Sequence, residues 1–370
     1  MRDILGGFLS CRIGGGYSAA DRPRRGEIGG GGRRALFRSR SAFAKHGPDA
    51  LPSRPLAPRR AGPSRSPALL RFLALFLRRH LPRQIRRRVS HRVQYVALRG
   101  VEGLLLALGL DRASALMGAL WRTFAPFNPR HARADRHIAA AMPELDAAAR
   151  RRLLGDMWEN LGRTFAETLL LPRLLAEPER VVCDVPPESL EKARHGAVFV
   201  SLHTGNWEIV AVPLVRLAFD VRAVYKPLTN PLVDRYLAER RRSLYAGGLI
   251  ARDRGVALRL RSLARTGSTL AILSDLRDST SMDITFFGRP ARATPFPALL
   301  ARRLGLPLFV GRSIRTGGAH FRVDGHWLDV PRGPDAEADA AELTRTIHTV
   351  FEGWIRQYPE QWMWAHRKWL

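Results

Sequence analysis

From about residue 186 onwards, the hydrophobic positions form short apolar blocks separated by segments with helical spacing. Each block is five or six residues long and is rich in Val, Ile, Leu or Ala. Such blocks are typical of buried strands, and their alternation with helix-length segments is typical of an α/β fold with a sheet flanked by helices. The predicted strands are residues 197–202, 221–225, 269–273 and 306–310.

Before residue 186, apolar residues recur at three- and four-residue intervals, which predicts a helical layer over residues 112–175. Its longest helix begins after Asp146, because Asp is a favoured N-cap residue. That helix continues through four apolar residues at helical spacing, Leu153, Met157, Leu161 and Phe165. Residues 335–358 predict a second long amphipathic helix.

Three local signals predict where elements begin or turn. Asn230-Pro231 and Thr294-Pro295 each combine an N-cap residue with a proline suited to the first helical position, so each predicts a helix start. Asp324-Gly325 lies between two short apolar runs and predicts a β-hairpin turn.

The N-terminal part of the chain differs from the rest. Residues 1–66 are rich in Gly, Arg, Pro and Ser without sustained apolar periodicity, so we predict a disordered arm. A start codon assigned too far upstream would explain this composition equally well. Residues 67–110 contain apolar runs that arginines interrupt and flank; they are too short or too charged to predict a membrane span. We predict a basic amphipathic, membrane-associated segment, with an ordinary buried helix as the alternative.

The formal net charge of +28 is concentrated near the N-terminus. Residues 1–66 hold 14 basic and 4 acidic residues, and residues 67–100 hold 9 arginines and no acid. Only 4 of the 61 basic residues are lysine, which indicates a general arginine bias, and no nucleic-acid-binding motif accompanies the charge. We therefore do not expect nucleic acid as a partner.

The two cysteines, Cys11 and Cys183, predict neither a disulfide framework nor a metal site. The glycine runs at residues 14–16 and 29–32 follow no predicted strand, so they do not predict a nucleotide site. We expect no metal and no cofactor, and a reducing compartment.

The segment VFVSLHTGNWEIV, residues 198–210, carries the candidate chemistry. A predicted strand runs into His203, a glycine turn follows, and Glu208 opens the next apolar run. On a single helix, side chains five positions apart would point about 140° apart, so a strand, turn and helix start are needed to bring these two together. His203 would then lie at the carboxyl end of a strand, the usual place for sites in open α/β sheets.

In that arrangement Glu208 would hold one imidazole nitrogen, and the other nitrogen could take a proton from a hydroxyl group. Backbone N–H groups near Gly205 are candidates to stabilise an oxyanion. The structural alternative is a histidine that is simply hydrogen-bonded in a loop.

The chain resembles the lipid A biosynthesis acyltransferases, the late lauroyl or myristoyl transferases of Gram-negative bacteria, within the wider group that shares an HxxxxD/E motif. The resemblance covers residues 110–370, with Lys226 where the family usually has Arg and Asp275-Leu276 in place of Asp-Gln. The matching blocks, in the family's order, are HIAAAMPE at 137–144, LHTGNWE at 202–208, VYKPLTNP at 224–231, FFGRPARATP at 286–295 and YPEQWMWAHRKW at 358–369.

The resemblance implies a glycerolipid-acyltransferase-like mixed sheet with a helical, membrane-associated N-terminal region, and an acyltransferase domain over residues 111–370. It implies transfer of a fatty acyl chain from an acyl carrier protein thioester to a hydroxyl of a lipid A precursor, in lipopolysaccharide biosynthesis. The expected partners are acyl carrier protein, an anionic lipid acceptor and the cytoplasmic face of the bacterial inner membrane. Within this reading, His203 and Glu208 are catalytic, and Asn206, Lys226 and Asp275 contribute to the substrate site.

Arg289 and Arg292 lie in a glycine-containing segment that we read as a loop feeding a helix N-terminus. Such a terminus attracts anions, and two guanidinium groups beside it predict a phosphate or carboxylate of the acceptor as ligand. A solvated basic loop is the alternative.

Three other functions remain open from the sequence. The acceptor could be a lysophospholipid or an aminolipid, with acyl-CoA as the donor. The chain could instead be a basic peripheral membrane protein without activity. Nucleic-acid binding by the arginine-rich arm is the weakest of the three.

Overall fold

The computed structural model describes residues 82–253, 255–278 and 280–369, so the predictions for residues 1–81 lie outside it. A helical layer comes first, as predicted. None of the described helices is long and apolar enough to cross a membrane. The layer consists of α1 (Arg83–Leu108), α2 (Leu110–Phe124), α3 (His131–Ala141), α4 (Ala147–Leu169) and α5 (Leu171–Leu175).

A seven-stranded sheet follows, in the order β1-β9-β8-β2-β5-β3-β4. All neighbouring strands are parallel except β8 and β9, which pair antiparallel. These strands are β1 (Val181–Cys183), β2 (Ala197–Ser201), β3 (Val221–Tyr225), β4 (Gly248–Ala251), β5 (Thr269–Leu273), β8 (Leu308–Gly317) and β9 (His320–Leu328). A separate two-stranded sheet contains β6 (Met282–Phe286) and β7 (Arg289–Ala293).

The remaining helices connect or cover these strands. They are α6 (Pro187–Leu190), α7 (Val212–Arg216), α8 (Pro231–Arg241), α9 (Val256–Arg265), α10 (Phe296–Leu304) and α11 (Ala336–Gln357). Every residue of β2 is buried, as expected for a strand with both faces of its sheet covered. The prediction of a mixed α/β sheet flanked by helices is confirmed.

The capping predictions are largely confirmed. The Asp146 carboxylate accepts a hydrogen bond from the Ala149 N–H at 2.6 Å. The Asn230 side chain accepts from the Leu232 N–H at 3.0 Å. Helix α10 begins at Phe296, slightly later than its signal suggests, and Thr294 Oγ1 accepts from the Phe296 N–H at 3.4 Å.

Two predictions of local structure are wrong. Asp324-Gly325 is not a turn, because β9 runs straight through it, and the hairpin turn lies between β8 and β9 near Gly318. A Cβ atom on Gly325 would lie 2.3 Å from the Val310 carbonyl oxygen, so this glycine permits close strand contact. The segment read as a loop at 287–295 instead contains β7 and the tight turn that joins it to β6.

Helices α2 and α4 pack closely through a glycine. A Cβ atom on Gly162 of α4 would lie 2.3 Å from the Met117 carbonyl oxygen and 2.8 Å from the Trp121 side chain. A backbone oxygen cannot move aside without shifting α2, so only glycine fits at this crossing.

We predict that Gly162→Ala lowers the free energy of unfolding by roughly 1–3 kcal/mol, because it overpacks this contact. Gly353→Ala is the matched control, since Gly353 also lies within a helix but no atom lies within 4 Å of its added Cβ. That variant should be neutral or more stable by up to about 1 kcal/mol, because alanine favours the helix. Urea unfolding monitored by circular dichroism measures both; equal midpoints would contradict the close-packing argument.

Candidate active site

Two adjacent strand ends position the central residues of the site. Strands β2 and β5 are parallel neighbours, and Ser201 at the end of β2 pairs with Leu273 at the end of β5. His203 and Asp275 each follow two positions later. Because parallel strands share the same direction, this register places the two side chains side by side at the carboxyl edge of the sheet.

His203 and Asp275 form a doubly hydrogen-bonded pair. His203 Nδ1 lies 2.7 Å from Asp275 Oδ1, and the His203 backbone N–H donates to Asp275 Oδ2 at 3.1 Å. Trp362 Nε1 donates to the same Oδ2 at 2.9 Å. An ionised carboxylate can only accept hydrogen bonds, so the proton of this pair lies on Nδ1 and the lone pair of the neutral imidazole lies on Nε2.

The charge state of Asp275 supports this assignment. The side chain is fully buried. Burial alone would raise the pKa of Asp275, but the charge that His203 carries when protonated and the hydrogen bonds from His203 and Trp362 outweigh it and lower the pKa well below its ordinary value. Asp275 therefore stays ionised and can stabilise an imidazolium that forms on His203.

The prediction that Glu208 holds an imidazole nitrogen is wrong. Glu208 Oε1 lies 2.7 Å from Arg241 Nη2, and the Tyr245 hydroxyl donates to Oε2 at 3.5 Å. After the glycine turn the chain enters a 3₁₀ turn, so the Glu208 carboxylate is directed toward α8. Burial, together with the Glu208 charge, raises the pKa of the Tyr245 hydroxyl well above its ordinary value, which keeps this hydroxyl a donor. Glu208 thus links the turn to α8.

The turn after His203 is fixed by buried polar groups. Gly205 has φ of +55°, and an added Cβ atom would lie 2.2 Å from the Ser313 carbonyl oxygen, so glycine is required. The Gly205 carbonyl oxygen accepts from Thr164 Oγ1 at 2.9 Å and from Asn160 Nδ2 at 3.1 Å. The Gly205 N–H, predicted as an oxyanion donor, donates instead to the Gln361 carbonyl oxygen at 3.2 Å. It is therefore not available to substrate.

Asn206 also stabilises the turn after His203. It does not line the cavity, so its assignment to substrate binding is corrected. Its side chain is fully buried, and Nδ2 donates to Glu167 Oε2 at 3.0 Å. Glu167 is itself fully buried and forms a two-pronged ion pair with Arg315, with a 2.8 Å hydrogen bond from Ser114. A buried carboxylate is tolerated only when it is paired in this way.

A cavity of about 270 Å³ lies beside His203, and its lining includes residues of β2, β3, β5 and α8. Its lining includes the exposed Lys226 and the half-buried Arg277 and His366. Lys226 thus lies where a substrate-binding residue could act. The apolar wall includes Phe199, Val210, Leu214, Leu237, Leu249 and Ile272.

A family model described as bacterial lipid A biosynthesis acyltransferase matches residues 73–370. The chain belongs to this acyltransferase family. A phosphatidylinositol mannoside acyltransferase from Mycolicibacterium smegmatis (strain ATCC 700084 / mc(2)155) is 28% identical over 187 residues, which cover 48% of this chain. The match spans 58% of that relative, a little over half of its length.

In this member of the acyltransferase family, Arg289 and Arg292 do not form the predicted anion site. Both lie on β7, before the helix that was expected to follow directly. Successive odd and even positions of a strand face opposite sides, so the two side chains diverge. Arg289 lies over the Trp369 ring at 5.7 Å, and Arg292 bonds to the Ser281 carbonyl oxygen and to Asp283. Neither lines the cavity.

Sequence reasoning missed the contribution of the C-terminal segment to the site. The Met363 N–H donates to the His203 carbonyl oxygen at 3.1 Å, and Trp362 reaches Asp275. The ring centroids of His366 and His203 are 5.4 Å apart. Burial, then the charge that His203 carries when protonated, lowers the pKa of His366 to about 3, so His366 is neutral. The clustering of aromatic, histidine and lysine residues at 362–369 was the available signal.

The tryptophans of that segment pack into the hydrophobic core. Trp362, Trp364 and Trp369 are all buried.

We predict that Asp275→Asn lowers kcat for acyl transfer by roughly 10²-fold or more, because the amide cannot stabilise the imidazolium as a carboxylate does. Glu208→Gln should lower kcat less and reduce thermal stability, because it weakens the contact with Arg241. Turnover of a thioester donor and a lipid acceptor, together with thermal unfolding, measures both effects. A more severe loss of kcat in a stably folded Glu208→Gln protein would contradict this division of roles.

Proposed function

We propose that this protein transfers a fatty acyl group from a thioester donor to a hydroxyl group of a lipid acceptor. The feature that supports this most directly is the His203–Asp275 pair at the wall of an apolar cavity. His203 Nδ1 is held by the carboxylate, while Nε2 has no hydrogen-bonding partner among the residues that the structure describes. This leaves one basic nitrogen free next to a space suited to hydrocarbon.

The reaction proceeds by direct attack. His203 Nε2 accepts the proton of the acceptor hydroxyl as its oxygen attacks the thioester carbonyl carbon. The Asp275 carboxylate stabilises the imidazolium. When the tetrahedral intermediate collapses, the carbon–sulfur bond breaks, the imidazolium returns its proton to the thiolate, and the ester and free thiol leave. A positioned base of this kind contributes roughly 10² to 10⁴ in rate.

The shape and lining of the cavity support a fatty acyl chain as the transferred group. The apolar wall formed by strand and helix residues replaces water around a chain, and burial contributes about 0.8 kcal/mol for each methylene group. The polar lining includes the buried Glu208 and Tyr245, the half-buried Arg277 and the exposed Lys226. A chain inserted along the apolar wall would place its thioester near His203.

For the acceptor, we favour a lipid A precursor, and for the donor, an acyl carrier protein thioester. The family description names lipid A biosynthesis, whereas the similar mycobacterial protein is named for a phosphatidylinositol mannoside, so another glycolipid is the main alternative acceptor. Both acceptors carry phosphate groups, which Lys226 and Arg277 can attract. Assays with both acceptors, a lysophospholipid, and acyl carrier protein or coenzyme A donors distinguish these choices.

A surface of α1 supports association with a membrane. The side chains of Val93, Val96 and Leu104 are 62%, 68% and 57% exposed and lie on one face of the helix. No acidic residue occurs in α1 before Glu102, and arginines flank this face. Exposed apolar side chains beside arginines bind anionic lipid surfaces.

Helix α1 is in turn bonded to the helix that lines the cavity. Asn230 Nδ2 donates to the His91 carbonyl oxygen at 2.9 Å, and the buried Glu102 forms an ion pair with Arg240 on α8. We therefore place the protein at the cytoplasmic face of the inner membrane, where both the lipid acceptor and a soluble donor are accessible.

We predict that His203→Ala lowers acyl transfer by roughly 10²- to 10⁴-fold because it removes the base. His320→Ala is the control, since His320 is an exposed histidine outside the cavity. The assay uses purified protein, a radioactive acyl thioester and a defined lipid acceptor. Incubation without acceptor should leave the protein unlabelled, because direct transfer forms no acyl-enzyme.

Near-wild-type turnover in His203→Ala would defeat the assignment of the base. If the wild-type protein binds lipid vesicles but transfers no acyl group to any acceptor tested, the non-catalytic membrane protein becomes the better explanation.

We also predict that Val93→Gln combined with Val96→Gln weakens binding to anionic vesicles at least several-fold, because apolar burial at the interface is lost. Val182→Gln is the control, since Val182 is 56% exposed on β1, away from α1. Vesicle sedimentation at low and high salt measures the effect, and high salt should release part of the wild-type protein. Unchanged sedimentation of the double variant would contradict the membrane-facing surface.

A further inference from the structure

Lysine is rare in this chain, and one of its four lysines is buried beside the active site. The other 57 basic residues are arginine. Lys368 has no exposed surface, and its Nζ has no hydrogen-bonding partner among the described residues. Lysine is almost never fully buried unless it is paired, so this placement calls for a physical reason.

The surroundings of Lys368 are largely aromatic. Nζ lies 5.0 Å from the centre of the Phe286 ring, and the Phe286 ring is also in contact with His348, Trp362 and Trp369. Among the residues that the structure describes, the titratable groups that interact with Lys368 are Asp275, after β5, and His348, on α11. Burial, followed by the charge of Lys368, lowers the pKa of His348 to about 3, so His348 is neutral and Asp275 is the ionised group facing the amine.

Burial also lowers the pKa of Lys368 to about 7, and the Asp275 charge opposes this shift only in part. A lysine in such a place can lose its proton near neutral pH, whereas an arginine would stay charged. In a chain that otherwise uses arginine, lysine at position 368 supplies an amine that can be neutral.

We infer that Lys368 is a positioning residue for the reaction: its buried amine, which faces the Phe286 ring packed against the Trp362 that bonds Asp275, sets how strongly that carboxylate stabilises a proton on His203. The expected change in the pH dependence of the rate rests on the proposed acyl transfer. The burial of the Lys368 amine and its interaction with Asp275 do not depend on that proposal. Trp362 and His203 donate hydrogen bonds to the Asp275 carboxylate. Lys368 makes no hydrogen bond to this carboxylate and affects it only through charge.

The sign of the effect follows from the charges. Below pH 7 the amine is an ammonium, which partly neutralises the field of Asp275 and disfavours the imidazolium. Without the amine, no ammonium opposes the imidazolium. The acid limb of the plot of kcat/KM against pH should therefore move to higher pH.

The first experiment measures kcat/KM against pH for Lys368→Met, which keeps the length and apolar stem of the side chain. We expect its acid limb to move upward by roughly 0.5 to 1 pH unit relative to wild type. Lys192→Met is the matched control, because Lys192 is exposed, lies over Trp327 and is outside the cavity. Its profile should superimpose on that of wild type. A merely structural role for Lys368 would lower the rate at all pH values without moving the limb.

The second experiment needs no activity. With only four lysines, at positions 45, 192, 226 and 368, lysine labelled with ¹³C at Cε gives few NMR signals, and Lys368→Met identifies the buried one. We expect that signal to titrate near pH 7 in the wild-type protein, and to titrate at lower pH in Asp275→Asn, because the carboxylate that favours the ammonium is gone.

Thermal unfolding supplies a third readout. Burial disfavours the charged amine in the folded state, so the wild-type protein loses stability as pH falls from the ordinary lysine pKa of about 10.4 toward 7, and this loss is complete below pH 7. The stability advantage of Lys368→Met should therefore be greatest below pH 7.

The inference is overturned if all lysine signals titrate above pH 9, even if Lys368→Met does not fold. It is also overturned if a folded Lys368→Met protein shows an unmoved acid limb. Absence of acyl transfer in the wild-type protein would defeat the proposed function instead, and the NMR titration would still decide the state of Lys368.

Discussion

The buried carboxylate of Glu167 is the constraint on which the arrangement of the site depends. A fully buried charge is tolerated only when its partners are complete. Its partners come from three distant parts of the chain: Ser114 on α2, Asn206 in the turn after β2, and Arg315 on β8. The hydrogen bonds and ion pair of the Glu167 carboxylate therefore connect the helical layer to the sheet. It also fixes the turn that follows His203, because that turn cannot shift without leaving a buried charge unpaired.

Much of the fold could be predicted because it depends on local patterns. The strands at 221–225 and 269–273 and the helix after Asp146 carry strong periodicity or capping signals, and the structure confirms them. The short strands β1 and β4 carry too few residues for a period to be visible. Gly325 looked like a turn residue because a turn and a close strand contact both require glycine. Only the position of Val310 on the neighbouring strand distinguishes these two uses.

For the candidate site, the sequence identified the histidine but assigned it the wrong partner. Glu208 is near His203 in sequence, whereas Asp275 becomes its neighbour only through the register of β2 with β5. Sequence spacing contains no information on which strands pair. For the same reason, Arg289 and Arg292 appeared to share a loop until β7 placed them on opposite faces. The roles of Trp362 and Lys368 depend on contacts across the whole domain, which a single sequence does not reveal.

The contribution of residues 362–369 has a consequence for the order in which the protein is synthesised. A ribosome produces α1, with its exposed apolar face, more than 250 residues before it adds Trp362. Until then the nascent chain lacks the indole that bonds Asp275 and the backbone N–H that bonds the His203 carbonyl oxygen. The exposed apolar face of α1 is therefore synthesised early in translation, while the surroundings of His203 are completed late. Under the proposed function, a growing chain reaches a bilayer before it can act on the lipids within it.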